Sequence, residues 1–468
     1  MKLKFCGAAG TVTGSSHLLT LDDGYKVLLD CGLYQGNEDG YENFNYEWSF
    51  DPSEIDVLVL SHAHIDHCGR IPKFVADGFK GDIICTHATR NLASIMLLDS
   101  GFIQEKDAEY INKRRESKGL PKMKPLYTVE DAKVCAKNFL SISYEKWFTI
   151  RPGLEVLFRD AGHILGSASV SLKIKREDNS HTYFGFSGDI GRPDRPILKD
   201  PLPMPKLDYL ICESTYGGVK HEGQANDKDD LLLVIRKACV EKRGKLLIPA
   251  FSVGRTQEIV YMLDQLENEG LLPSIPVFVD SPLAVDATEI FMMHPECYDL
   301  ELLDYMSKDP NPFGFRKLHY TRNVEDSKAI NSLKGPAIII SASGMMSAGR
   351  IKHHLNNNIE DPNNTILVVG YCGYGTLGRK IMDGEKEVRI FGEMKKVNAE
   401  VRIMSSFSAH GDNDELLNFL DNQDREKLKT IFLVHGETER QSVFKTNLKA
   451  KAFKKVIIPK LDEEYILD

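Results

Sequence analysis

The sequence has no CxxC pair, and its nine cysteines are odd in number and scattered. That argues against a disulfide framework and for a reducing compartment. No run approaches the ~20 apolar residues that a membrane helix needs. The opening MKLKFCGAAGTVTGSSHLL is broken early by Gly and Thr, which argues against a signal peptide or an anchor. Positive charge is also short: 59 Lys and Arg against 68 Asp and Glu leave a net charge of −9. Net charge therefore gives no sign of a nucleic-acid binder, so any polyanion site must be a local basic surface or a metal site. Tandem repeats and low-complexity runs are missing as well. These absences predict a soluble cytoplasmic protein with no membrane part. What is present is length and apolar content: 468 residues, 42% hydrophobic and 27% charged, enough for two or three cores.

The first part of the chain alternates short β-branched runs with turn residues. Lys26–Leu29 ends at Asp30, Val57–Leu60 ends at Ser61-His62, and Ile83–Cys85 precedes His87. Leu154–Phe158, Ala168–Ile174 and Thr182–Phe186 read as further strands. The stretch from Asn91 to Ala136 reads as helical but interrupted by a basic, proline-containing loop (Lys113, Arg114, Arg115, Lys122, Lys124). Its charge reads as a solvated face, with RNA contact as the alternative. From about residue 218 the rhythm changes. Helix 228–242 precedes strand 245–249, helix 255–268 precedes strand 276–279, and strands 337–341 and 365–369 follow. Such alternation predicts a parallel α/β sheet. A strand candidate at 208–212 precedes this change, and strand candidates return at 400–404 and 430–434.

The strand at 57–60 runs directly into Ser61-His62-Ala-His64-Ile-Asp66-His67-Cys68-Gly69. Only 14 of the 468 residues are histidine, and three of them fall within the six positions 62–67. Zinc takes imidazole nitrogen and carboxylate oxygen, and a tight loop can aim alternate side chains at one metal and the rest at a second. Two metals need more donors, and later strand ends offer them. Asp160-Ala-Gly-His163, Ser187-Gly-Asp189 and His435-Gly-Glu437 each set a ligand-type residue beside glycine, where backbone can crowd a site.

This series, HxHxDH followed by a distant His, an Asp and a C-terminal His, resembles the metallo-β-lactamase fold. Glu213-Ser-Thr-Tyr-Gly, Ser406-Phe-Ser-Ala-His410-Gly-Asp412 and His435-Gly-Glu resemble the extra motifs of its β-CASP branch, whose members process nucleic acids. Phe251–Glu258, Asp280–Ala284, Ser341–Arg350 and Gly370–Arg379 resemble that branch's inserted domain. The resemblance spans nearly the whole chain. It is nearer to the endonuclease subunit of eukaryotic 3′-end processing and its compact bacterial and archaeal relatives than to ribonuclease J. No separate RNA-binding domain is visible at either end, a departure from some archaeal members. The implied fold is α/β: an αββα sandwich from residues 1–217 and 406–468, with a parallel-sheet β-CASP domain inserted at 218–405.

The resemblance implies two Zn2+, with Mn or Fe as alternatives in such N/O sites. His62, His64 and His163 would hold the first, and Asp66, His67 and His435 the second, with Asp189 bridging. Asp30 would orient a ligand imidazole. Glu213 and His410 would pair near the leaving group, His410 acting as its acid. The implied activity is hydrolysis of single-stranded RNA, chiefly endonucleolytic, by a water activated between the metals, leaving 5′-phosphate and 3′-hydroxyl ends. The competing readings are a 5′-exonuclease of the ribonuclease J kind, a small-molecule hydrolase of the same fold, and an inactive scaffold. Among assemblies, a homodimer is left open.

Ser343-Gly344 and the turn carrying Thr376 and Arg379 follow apolar strands and could present backbone N–H groups to phosphate. Arg255 and Arg379 could hold phosphate bidentately or simply pair with an acid. Cys31 and Cys68 read as buried neutral thiols, His353-His354 as a helix surface, and the aromatics of 41–50 as packing. His17 and His87 lie near strand ends and could approach the site.

Overall fold

Strands whose alternate side chains enter two different cores build the first of two units, Met1–Lys220 together with Ala409–Asp468. The computed structural model describes residues 1–36, 40–221, 227–370, 372–373, 375–404 and 408–468. Ser406 and Phe407 of one motif, and Tyr371 and Tyr374 of another, lie outside them.

One seven-stranded sheet of this unit runs in the order Glu464–Ile466, Lys2–Phe5, His17–Thr20, Lys26–Leu29, Val57–Val59, Asp82–Thr86, Phe139–Ile142. The other, also of seven strands, runs Val456–Ile457, Thr430–Val434, Tyr209–Glu213, His181–Phe186, Ala168–Lys175, Leu154–Asp160, Phe148–Arg151. Phe5, Leu29 and Val59 from the first meet Phe158, Phe184, Ile211 and Phe432 from the second in one core. The intervening residues Leu210, Cys212, Ile431 and Leu433 face the opposite way, against Leu416, Phe419, Phe444 and Leu448 of two covering helices. A sheet buried on both faces needs such near-continuous apolar strands. The first sheet is covered in turn by the helix His87–Glu116, which packs on Asp82–Thr86 and Phe139–Ile142. The fold is therefore an αββα sandwich.

The second unit, His221–Ser408, centres on six strands. Their order is Leu318–Tyr320, Val277–Val279, Ala337–Ser341, Lys245–Pro249, Thr365–Val368, Glu400–Ile403, and every pairing is parallel. This is the parallel α/β sheet that the alternation predicts.

Three local expectations need correction. Lys113, Arg114 and Arg115 are helical, because the helix from His87 continues to Glu116. No proline or glycine falls between Phe102 and Ser117, and Gly101 sits where an added Cβ would lie 3.0 Å from the Val129 nitrogen. The helix expected at 228–242 is α over Asp227–Ile235 and π over Arg236–Glu241, where Ala238 and Cys239 are both buried. His354 is buried rather than on a helix surface: its Nε2 donates to Asp280 at 2.7 Å and its Nδ1 faces Asn331 at 3.0 Å. His353 is exposed.

Backbone packing fixes the loop after Val57–Val59. His64 caps the one-turn helix Ile65–Cys68. The 31–33 segment clamps that helix: Cys31 N–H donates to His67 O at 2.8 Å and Leu33 N–H to Ile65 O at 2.9 Å. Gly32 leaves no room for a side chain, since a Cβ there would lie 1.6 Å from Asp66 O and 2.8 Å from Ser15 N. Gly32→Ala is expected to cost about 3 kcal/mol, the upper end for overpacking, because backbone rather than a flexible side chain must yield. A denaturant titration with wild-type stability would contradict this.

Candidate metal centre

Four strand ends of the first unit deliver their side chains to one place. His62, His64, Asp66 and His67 come from the loop after Val57–Val59. His163 follows Leu154–Asp160, Asp189 follows His181–Phe186, and His435 follows Thr430–Val434 with a φ of 50°. Donor atoms of His62, His64, His163 and Asp189 all lie within 4.8 Å of one another, as do those of Asp66, His67 and His435.

In the first group His64 Nδ1 is 3.1 Å from both His62 Nε2 and His163 Nε2. Asp189 Oδ2 is 3.6 Å from His62 Nε2 and 3.5 Å from His163 Nε2. In the second, His67 Nε2 is 3.2 Å from His435 Nε2, which is 3.4 Å from Asp66 Oδ2. Asp189 Oδ1 reaches toward this group, 3.3 Å from His67 Nε2 and 3.6 Å from His435 Nδ1. One carboxylate thus turns one oxygen to each group.

The donor set suits cations. Asp189 Oδ1 is buried and accepts no hydrogen bond among the described residues, a cost to the fold that a cation would offset. Burial drives the His62 and His163 imidazoles well below their ordinary pKa and His64 to about 4. Neutral rings are what a metal requires. His67 behaves oppositely: burial lowers it, but the Asp189 and Asp30 carboxylates outweigh that and hold it well above the usual value. Asp66 is depressed to about 2, burial being outweighed by the His435 and His67 rings.

A further ring of residues orients these donors. His67 Nδ1 donates to Asp30 Oδ2 at 2.6 Å, leaving Nε2 turned to the centre. Asp30 itself accepts from Ser61 N–H and Ser61 Oγ, each at 2.8 Å, and holds a φ of 59°. Ser61 Oγ also lies 3.0 Å from His62 Nδ1. Thr215 Oγ1 lies 2.9 Å from His435 Nδ1. Sequence reasoning missed Ser61 and Thr215 as orienting groups; adjacency to His62 and Glu213 was the available signal. Asp30→Asn is expected to keep the fold and weaken metal binding roughly 10–100-fold. Equal metal affinity by competition with a chromophoric chelator would rule out the orienting role.

Glu213 and His410 meet beside the centre. His410 Nδ1 donates to Glu213 Oε1 at 3.2 Å and lies 3.9 Å from Asp189 Oδ2. Glu213 is fully buried, and its Oε1 accepts Ile190 N–H at 2.6 Å. Burial lowers the His410 imidazole, but Glu213 and Asp189 overcome it and raise it to about 9. The two carboxylates thus favour the protonated imidazole.

Other candidates fall elsewhere. His17 is buried between Phe5 and Phe186, has neither ring nitrogen bonded among the described residues, and is lowered to about 3 by burial. It is in neither donor group. His87 is exposed beside Ser141. Burial pushes the Cys31 thiol up to about 12 and Cys68 well above its ordinary value, so both are neutral. Tyr41 is buried and stacks on Tyr34, whereas Tyr46 is exposed.

The phosphate candidates belong to the second unit. Ser343 and Gly344 follow Ala337–Ser341, and Gly378 N–H donates to Met345 O at 3.0 Å, so the two glycine turns adjoin. Thr376 caps the helix Leu377–Met382, accepting Arg379 N–H at 3.2 Å. Arg379 pairs with Asp383 at 2.9 Å, and Arg255 pairs with Glu258. No described helix is long and apolar enough to cross a membrane.

Comparison with known proteins agrees with this architecture. Residues 9–201 match the metallo-beta-lactamase superfamily, 256–381 the Beta-Casp domain, and 394–459 the Zn-dependent metallo-hydrolase RNA specificity domain. The chain is 34% identical over 440 residues to ribonuclease TTHA0252 of Thermus thermophilus, covering 94% of each. It is 31% identical to transcription termination factor FttA of Methanosarcina mazei, over 92% of this chain and 66% of that one. With FttA of Methanocaldococcus jannaschii it shares 30% identity, over 98% of this chain and 70% of that one. The chain belongs to the metallo-β-lactamase superfamily, in its β-CASP branch of metal-dependent nucleases.

Proposed function

We propose that the chain is a zinc-dependent ribonuclease that cuts single-stranded RNA chiefly endonucleolytically. The observation that carries this reading is Asp189, one oxygen turned to each donor group and the His410–Glu213 pair beside it. The match to an RNA specificity domain and the ribonuclease relative support RNA as the substrate.

His62, His64 and His163 would hold one zinc ion, Asp66, His67 and His435 the second, and Asp189 both. Imidazole with carboxylate is the donor chemistry that zinc takes. When bound, such a cation pair makes water nucleophilic near neutral pH and neutralises charge on the phosphate oxygens. The rest falls to this chain's side chains. Asp30 and Ser61 fix which ring nitrogen of His67 and His62 faces the centre. Glu213 keeps His410 protonated against the cost of burial. The attacking water gives up one proton to solvent, and as its oxygen bonds to phosphorus and the P–O3′ bond breaks, His410 gives its proton to the departing 3′-oxygen. The products carry 5′-phosphate and 3′-hydroxyl ends.

Circular and 5′-blocked RNAs test the reading. An endonuclease cuts both, whereas a 5′-exonuclease cuts neither, so resistance of both would overturn the endonucleolytic assignment. Metal analysis of the active protein decides between zinc, manganese and iron.

A further inference from the structure

We propose that the outward face of the helix His87–Glu116 is an auxiliary docking surface for single-stranded RNA, separate from the metal centre. The inference rests on the ribonuclease reading for the identity of its ligand. The helix begins at the metal loop: it packs against Ile65–Cys68, and the hydroxyls of Thr86 and Thr89 both donate to Gly166 O at 2.7 Å. Its far half leaves the core. Ala108 is its last buried residue, eight positions before the helix ends.

On that far half the side chains sort by type. At about 100° per residue, Phe102, Ile103, Lys106, Tyr110, Lys113 and Arg114 share an arc of roughly 120° centred opposite Ala108. The acids Glu105, Asp107, Glu109 and Glu116 fall outside that arc. Phe102 is 53% exposed and Tyr110 58%. Each ring has a cation over it: Lys106 lies 5.8 Å from the Phe102 centroid, and the Arg114 guanidinium 4.8 Å from that of Tyr110. Lys106 also pairs with Glu109 at 2.9 Å, but Lys113 and Arg114 make no ion pair among the described residues.

The segment after the helix is pinned along it. Asn112 Nδ2 donates to Met123 O at 2.9 Å, Met123 N–H returns to Asn112 Oδ1 at 2.7 Å, and Arg115 Nε donates to Pro121 O at 2.7 Å. Asn112 and Arg115 lie on the Ala108 side of the helix, so this segment runs along the side away from the face, with Lys122 4.0 Å from Glu116. Residues 112–124 carry six Lys or Arg and one acid, in a chain whose net charge is −9.

Exposed aromatic rings interleaved with cations are what binds single strands without reading sequence: bases stack and phosphates find charge. A solvated charged face needs no exposed Phe and Tyr, and an apolar protein contact needs no concentration of cations. The patch lies about 22–40 Å along the helix from its start. Only an RNA long enough to reach from the cleavage site can use it.

The test uses the full, metal-loaded chain and two unstructured RNAs, one of roughly 40 nucleotides and one of about 8. Lys106→Ala/Lys113→Ala/Arg114→Ala should raise KM for the long RNA roughly tenfold with kcat unchanged, and leave the short RNA unaffected. It should also reduce the salt slope of long-RNA binding by about 2. Phe102→Ala/Tyr110→Ala should raise the same KM without changing the slope. An unchanged melting temperature shows that the helix is intact; if the aromatic variant unfolds, the charge variant decides. Wild-type KM and salt slope in both variants would overturn the proposal and leave the face to an acidic protein partner. If wild type cut neither RNA, the ribonuclease reading would fall, while fluorescence anisotropy with the long RNA would still decide the surface.

Discussion

Asp189→Ala is expected to empty both donor groups and lower RNA cleavage by at least about 10³-fold, as loss of several kcal/mol of charge stabilisation requires. The reason is geometric. Each of the other six donors serves one group, whereas Asp189 Oδ2 lies 3.5–3.6 Å from His62 and His163 and Oδ1 lies 3.3–3.6 Å from His67 and His435. Removing it also brings the four rings together without their shared counter-charge. Asp66→Ala makes the contrast. Its carboxylate belongs to the second group alone, 3.4 Å from His435 Nε2, so that variant should lose one cation per chain and keep the other. Metal content per chain and single-turnover cleavage check both. Full-rate cleavage by either variant would show that the centre is elsewhere, and two cations retained in Asp189→Ala would remove its bridging role.

Much of this site is legible in the chain because its residues sit at strand ends, and strand ends are marked by the switch from β-branched runs to glycine and polar residues. The cluster at 62–67 is dense enough to stand alone. His163, Asp189 and His435 are not: each is a single polar residue after a strand, and only the resemblance assembles them. What the sequence hides is local and lateral. Nothing in Asp30 announces a φ of 59°, nor that Ser61 would bond both Asp30 and His62. His354 reads as surface because its partner Asp280 is 74 residues away in sequence. The acid partners of Arg255 and Arg379, by contrast, stand three and four residues on, at helical spacing, and were readable. The long helix hid behind composition: a basic, proline-bearing stretch suggests a loop, yet its proline falls at Pro121, beyond the helix end at Glu116.

His410→Ala should leave metal content unchanged and slow RNA cleavage by roughly 10²–10⁴-fold, the usual worth of a positioned acid. His410 lies 3.9 Å from Asp189 Oδ2 with its ring centroid 4.5 Å from that of His163, belongs to neither of the two main donor groups, and has Glu213 as its hydrogen-bond partner at 3.2 Å. A general acid matters in proportion to how badly the leaving oxygen needs a proton. A ribose 3′-oxygen needs one; a nitrophenolate does not. The ratio of wild-type to His410→Ala rates should therefore collapse toward unity on a nitrophenyl phosphodiester while staying large on RNA. A merely structural histidine would slow both substrates equally, and that outcome would remove the acid from the mechanism. Glu213→Gln separates holding the proton from donating it. It retains an oxygen to accept Ile190 N–H but loses the charge that raises His410 to about 9. It should show the same leaving-group signature in weaker form, because the imidazole remains in place and is protonated less of the time.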